Sequence, residues 1–234
     1  MARVEKIDNV WKKRFERQEK KRAIATRDER VYFLIVCEGE KTEPNYFKAL
    51  EKELPIGTVK IEIEGTGRNT IGLVEYTIKQ RDIASRKYDR VWAVFDKNSF
   101  PENNFNGAII KARDNNVNCA WTNEAFELWF ILHFQYRNTG MKRKEYQECI
   151  EQEIQSKSGN KDYKYKKNVP DTYSLLIKYG NQEQAIKWAK KLKENFTDEK
   201  YATHNPCTRV HELVEELLTP KGVLEKVKKE ESSD

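Results

Sequence analysis

Residues Val31 to Cys37 form an apolar run with no polar interruption, and an acid, Glu38, follows at once. β-branched and aromatic side chains dominate the run, so it reads as a strand buried on both faces, the kind that parallel sheets carry under helices. A short turn through Gly39 comes next. A helix is expected from Thr42, with Thr42 as its cap, Glu43 in the first turn, Pro44 near the first helical position, and Tyr46, Phe47 and Leu50 as its apolar face. A doubly buried strand that ends in an acid and turns straight into a helix constrains the chain to layered α/β structure. Open sheets of that class place their chemistry at such strand ends, which makes Glu38 the first candidate site residue.

The pattern continues downstream. Thr58 to Glu64 alternates apolar and polar residues and reads as a second strand nearer an edge, and Gly65 to Asn69 is a turn that fits neither the P-loop nor the dinucleotide pattern. Thr70 to Arg86 places Ile71, Val74, Ile78 and Ile83 near helical spacing. A third strand, Arg90 to Phe95, runs directly into Asp96-Lys97-Asn98, a second buried strand ending in an acid. A helix over 105–115 and a short strand over 117–121 complete a β-α-β-α-β-α-β succession, the signature of a mostly parallel sheet flanked by helices. Strand ends from separate crossovers meet at one edge of such a sheet, so Glu38 and Asp96 are expected together. After the fourth strand, Asn123 is a suitable cap for a helix that is apolar nearly all round to Phe134; Glu124 complements its dipole, and Glu127 sits inside it as a buried carboxylate in need of a partner or a metal.

Beyond residue 137 charged helical patterns replace strand signals, with helices expected over 142–155, 172–179, 182–196 and a last one carrying Val210, Leu213, Val214, Leu217 and Leu218. Three regions are expected: a charged arm over 1–29, an α/β core over 30–136, and a helical C-terminal region over 137–234 that packs on the core. The arm carries Lys12, Lys13, Arg14, Arg17, Lys20, Lys21 and Arg22 among few apolar residues. It suits either a solvated extension or a segment lying along a phosphate backbone.

Composition narrows the function classes. Charged residues reach 35% and the formal net charge is +6, which favours a polyanionic partner without requiring one. Cys37, Cys119, Cys149 and Cys207 are far apart and form no CxxC pair, so reduced thiols are expected rather than a zinc site or disulfide framework. With no apolar core of a signal peptide at the N-terminus and no membrane-length apolar run, the expectation is a cytoplasmic protein. The three histidines, His133, His204 and His211, flank apolar runs or caps and read as structural. A carboxylate set is the better basis for chemistry. Glu38, Asp96 and Glu127 offer oxygen ligands suited to Mg²⁺ or Mn²⁺, which activates water and neutralises charge on a phosphoryl group; the plainer use of strand-end acids is to cap the following helices.

The strand-Glu-Gly turn of VYFLIVCEGEKTEPNYF and the strand-acid turn of VWAVFDKN resemble a Toprim domain, the metal-dependent module of topoisomerases, primases and related nucleases. CEGEKTEPNYF, GTGRNT, VFDKNSF, NEAFELWFILHF, YKKN and NPCTRVHELVEEL together resemble the RloB-like family, associated with restriction-modification loci and abortive phage infection and often paired with an RloA ATPase. The resemblance implies a Toprim-like α/β fold and a Mg²⁺- or Mn²⁺-dependent nuclease subunit acting on DNA or RNA. It matches Glu38 to the Toprim glutamate, as metal ligand or general acid–base, and Asp96 to the first acid of the DxD motif. The second acid of that motif is replaced by Asn98, whose amide is a neutral and weaker oxygen ligand. Glu127 matches the glutamate of the FELW block as a further metal ligand, and Lys167 stands as the cation for the scissile phosphate. Two readings compete with cleavage: a non-cleaving subunit that binds nucleic acid or docks the ATPase, and phosphoryl or nucleotidyl transfer on a small nucleotide.

Overall fold

The computed structural model describes residues 30–231 apart from 56 and 99, so the basic arm lies outside the described residues. Five strands form one sheet in the order β2-β1-β3-β4-β5: β1 Val31–Cys37, β2 Val59–Gly65, β3 Arg90–Asp96, β4 Asn118–Asn123 and β5 Cys207–Thr208. The first four run parallel, and β5 pairs antiparallel to β4 through Thr122 with Thr208 and Asn123 with Cys207. The expected α/β sheet flanked by helices, consistent with a Toprim-like fold, is thus present. The strand β5 is an addition. Two residues are too short to show a strand period, so nothing in the sequence beyond 137 signals it.

Alternation of side chains along the strands builds the two layers. Phe33, Ile35 and Cys37 of β1, with Trp92, Val94 and Ala120, face helix α1 (Thr42–Glu53) through Tyr46, Phe47 and Leu50. Leu34 and Val36, with Val91, Ala93, Phe95 and Trp121, face α2 (Thr70–Ile83) and α3 (Glu102–Asp114). The apolar stripe of α2 is offset from the expected one: Leu73, Val74 and Thr77 are buried whereas Ile83 is exposed. The remaining helices are α4 (Glu127–Ile131), α5 (Arg143–Ser158), α6 (Thr172–Tyr179), α7 (Gln182–Glu194), α8 (Val210–Leu218) and α9 (Pro220–Glu231). All of them contribute residues to the same apolar cluster as α1, from Trp129 of α4 to Val223 of α9.

The segment after β4 departs from expectation. Instead of a continuous helix capped by Asn123, the chain makes only the five-residue α4, because Asn123 ends β4 and its buried amide donates to the Ala202 carbonyl at 2.9 Å. Glu124 therefore precedes the helix rather than occupying its first turn. All four cysteines are free, and burial pushes the Cys119 and Cys207 thiols up to about 12. His133 and His211 are buried, each lowered to about 4 by burial, as suits core histidines. Among the described residues no helix is long and apolar enough to cross a membrane.

Candidate active site

The strand order decides where a site can form. β1 leads through α1 to β2 on one side, while β3 leads through α3 to β4 on the other, so the connections diverge between β1 and β3. At such a switch point the loops part and leave a crevice beyond the strand ends. Glu38 and Asp96 stand there, one after β1 and one closing β3. The Glu38 N–H donates to the Val94 carbonyl at 2.8 Å, and the Asp96 N–H donates to Glu38 Oε2 at 3.1 Å.

Two further acids join them. Glu127, at the start of α4, is 1% exposed; its Oε1 accepts from Gln147 Nε2 of α5 at 3.0 Å. Glu43 of α1 is 5% exposed, and its carboxylate folds back over Gly39. A Cβ at Gly39 would lie 2.1 Å from Glu43 Oε2, so the glycine in the turn makes the space that Glu43 fills. Sequence reasoning placed Glu43 only in the first turn of the helix and missed this role; the available signal was a second glutamate a few residues beyond the Glu38-Gly39 turn. Thr42 is likewise no cap. Its hydroxyl donates to Asn168 Oδ1 at 2.7 Å, and Asn45 Nδ2 donates to the Asn168 carbonyl at 3.3 Å, pinning the loop that carries Lys167 onto α1.

The cluster is electrostatically loaded. Burial raises Glu38 from 4.5 to about 7, with Glu43 adding to the rise while the Asp96 N–H, Arg143 and Lys167 oppose it. Asp96 is held well above the ordinary carboxylate range, first by burial and then by Glu43 and Glu127. Glu43 is raised by burial too, with Lys167 and Arg143 working against it. Two cations thus face four carboxylates. Lys167 was named from the sequence; Arg143, the first residue of α5, was not, because a charged residue on a polar helix carries no mark of pointing inward. Its Nη2 donates to Asp96 Oδ2 at 2.9 Å. Asn98 has a left-handed backbone, φ 42°, a conformation asparagine tolerates better than most residues, and its N–H donates to the Glu124 carbonyl at 3.0 Å.

The donor set suits a hard divalent cation: carboxylate oxygens throughout, with buried Asp96 Oδ1 and Glu43 Oε2 lacking any hydrogen-bond partner. An orphaned buried carboxylate oxygen is costly, and an ion is one way to satisfy it. Among the described residues, no three acidic, histidine or cysteine side chains already stand in a metal-ligating arrangement. Around the crevice Lys41, Lys142, Lys166 and Lys167 are exposed, and none is ion-paired to another described residue.

No curated protein and no solved structure gives a significant match to the chain. The family model described as RloB-like protein matches residues 33–217, a span that takes in every strand end, both cations and all four acids of the crevice. On that match, spread over most of its length, the chain belongs to the RloB-like protein family.

Proposed function

We propose that this protein is a metal-dependent nuclease subunit that hydrolyses phosphodiester bonds in DNA or RNA, working in the cytoplasm with an RloA-like ATPase in defence against phage. The observation that carries the reading is the meeting of Glu38, Glu43, Asp96 and Glu127 at the β1–β3 switch point, with two buried oxygens unpartnered and exposed lysines around the rim. Asp96, Glu43 and Glu127, with the Asn98 amide, would hold Mg²⁺ or Mn²⁺. When bound, that ion supplies Lewis-acid polarisation of water and neutralisation of phosphoryl charge.

The chain's own groups do the rest. Glu38, poised near neutrality, takes the proton from water as the water oxygen bonds phosphorus and the bridging P–O bond breaks; the leaving oxygen collects its proton from solvent. Lys167 lies close enough to lower both Glu38 and Glu43, so its ammonium is placed to meet a phosphate at the same mouth. The rim lysines extend that field along a polyanionic backbone. Purified protein is to be assayed on plasmid, single-stranded DNA and tRNA with Mg²⁺ or Mn²⁺, alone and with the ATPase, wild type beside Glu38→Gln. Cleavage lost in the variant supports the reading; intact substrates under every condition overturn it.

Asn98 favours one second reading, a non-cleaving subunit that binds nucleic acid, since the amide removes a charge where the resemblance expects an acid. Nucleic-acid binding with no Mn²⁺ uptake is its expected signature.

A further inference from the structure

Arg143 enters the acid cluster from the start of α5 and occupies it. Nη2 donates to Asp96 Oδ2 at 2.9 Å and Nε stands 3.8 Å from Glu127 Oε2, between side chains that are 8% and 1% exposed. Gln147, one turn further along α5, holds the other oxygen of Glu127, so Oε2 is left to the guanidinium. Buried carboxylates at this spacing need a cation, and here the protein supplies one. Asp96 Oδ1 is open, but Asp96 Oδ2 and Glu127 Oε2 face Arg143, so a divalent ion that draws on both carboxylates competes with the guanidinium for them.

Resting on the metal site proposed above, we infer that Arg143 is a built-in counter-cation that competes with the divalent metal for Asp96 and Glu127 and must withdraw for the metal to load. The attachment is light enough for that. Nε is buried without a hydrogen-bond partner, and Asp96 accepts the guanidinium's one hydrogen bond to the cluster. The side chain is 29% exposed, and its neighbours Lys142 and Lys144 are in solvent, so a withdrawn guanidinium enters water rather than core. The contact thus acts as an inhibitory plug that keeps Asp96 and Glu127 paired until metal or a phosphate ligand draws the arginine away.

The test is calorimetric titration of Mn²⁺ into the full chain, wild type and Arg143→Met, which keeps an unbranched side chain but no charge. The expected result is Mn²⁺ binding at least about tenfold tighter in the variant, since removing a competing cation from a carboxylate site acts at about that scale. Equal or weaker binding in the variant overturns the competition and leaves the metal site standing. No uptake by either chain overturns the metal site and the competition together. If Arg143→Met fails to fold, Arg143→Gln removes the charge while keeping a polar side chain with N–H donors, and tightening is still expected; unchanged affinity there overturns the inference.

Discussion

Replacing Glu38 by glutamine is expected to make the metal-free protein more stable, not less. The structure holds this carboxylate at about 7 against an ordinary 4.5, chiefly because burial disfavours its charge. A folded-state value raised in this way means that the penalty is absent below pH 4.5, grows as pH rises, and is complete above 7. At about 1.4 kcal/mol for each tenfold, the full rise corresponds to at most about 3.5 kcal/mol; Glu38 retains some contact with water, whose screening brings the expected effect to about 2 kcal/mol. Glutamine keeps an oxygen to accept the Asp96 N–H, so that hydrogen bond need not be lost. Urea unfolding in EDTA at pH 8 is expected to show the variant ahead by about 2 kcal/mol, with the gap closing towards pH 4.5. Saturating Mn²⁺ is expected to narrow the gap at pH 8, because a bound cation stabilises the charged wild-type cluster more than the amide. A variant no more stable than wild type at pH 8 without metal would refute the electrostatic reading of the crevice. A residue that costs stability where it stands is retained for what it does, and cleavage lost in the same variant would complete that case.

Gly39→Ala is expected to expel the Glu43 carboxylate from the crevice, since the new Cβ would fall 2.1 Å from its Oε2; loss of Mn²⁺ uptake with a near-normal circular dichroism spectrum is the sign. Lys167→Ala is expected to weaken nucleic-acid binding across sequences and to reduce the slope of log affinity against log salt by about 1, measured by fluorescence anisotropy. Thr42→Val removes the hydroxyl that holds Asn168, costing about 1 kcal/mol in denaturant unfolding, and is expected to weaken nucleic-acid binding less than Lys167→Ala does.

The elements built on strong periodicity were legible in advance. β1 and β3 are uninterrupted apolar runs, and a strand buried on both faces has no other composition open to it, so the parallel sheet and the meeting of Glu38 with Asp96 follow from local pattern plus the geometry of crossovers. Where tertiary contacts compete with local preference, the pattern misleads. Asn123 has the side chain of a helix cap and spends it on the Ala202 carbonyl, 79 residues along the chain, so the apolar helix shrinks to Glu127–Ile131. Ile83 has helical spacing but stands at the last residue of its helix and is exposed.

The amino-acid sequence by itself determined the layer class, the two strand-end acids, the buried position of Glu127 and the basic character of the rim, because burial and charge are properties of residue types at local spacings. Only the tertiary structure decided which charges face one another. Glu43 joined the site through a fold-back over Gly39, Lys167 through a loop pinned to α1, and Arg143 through the packing of α5 against α4. Each of these depends on an approach in space between segments that share no local pattern. The energy of a charge is set by the neighbours it meets there and by the water it loses, neither of which is written at its own position.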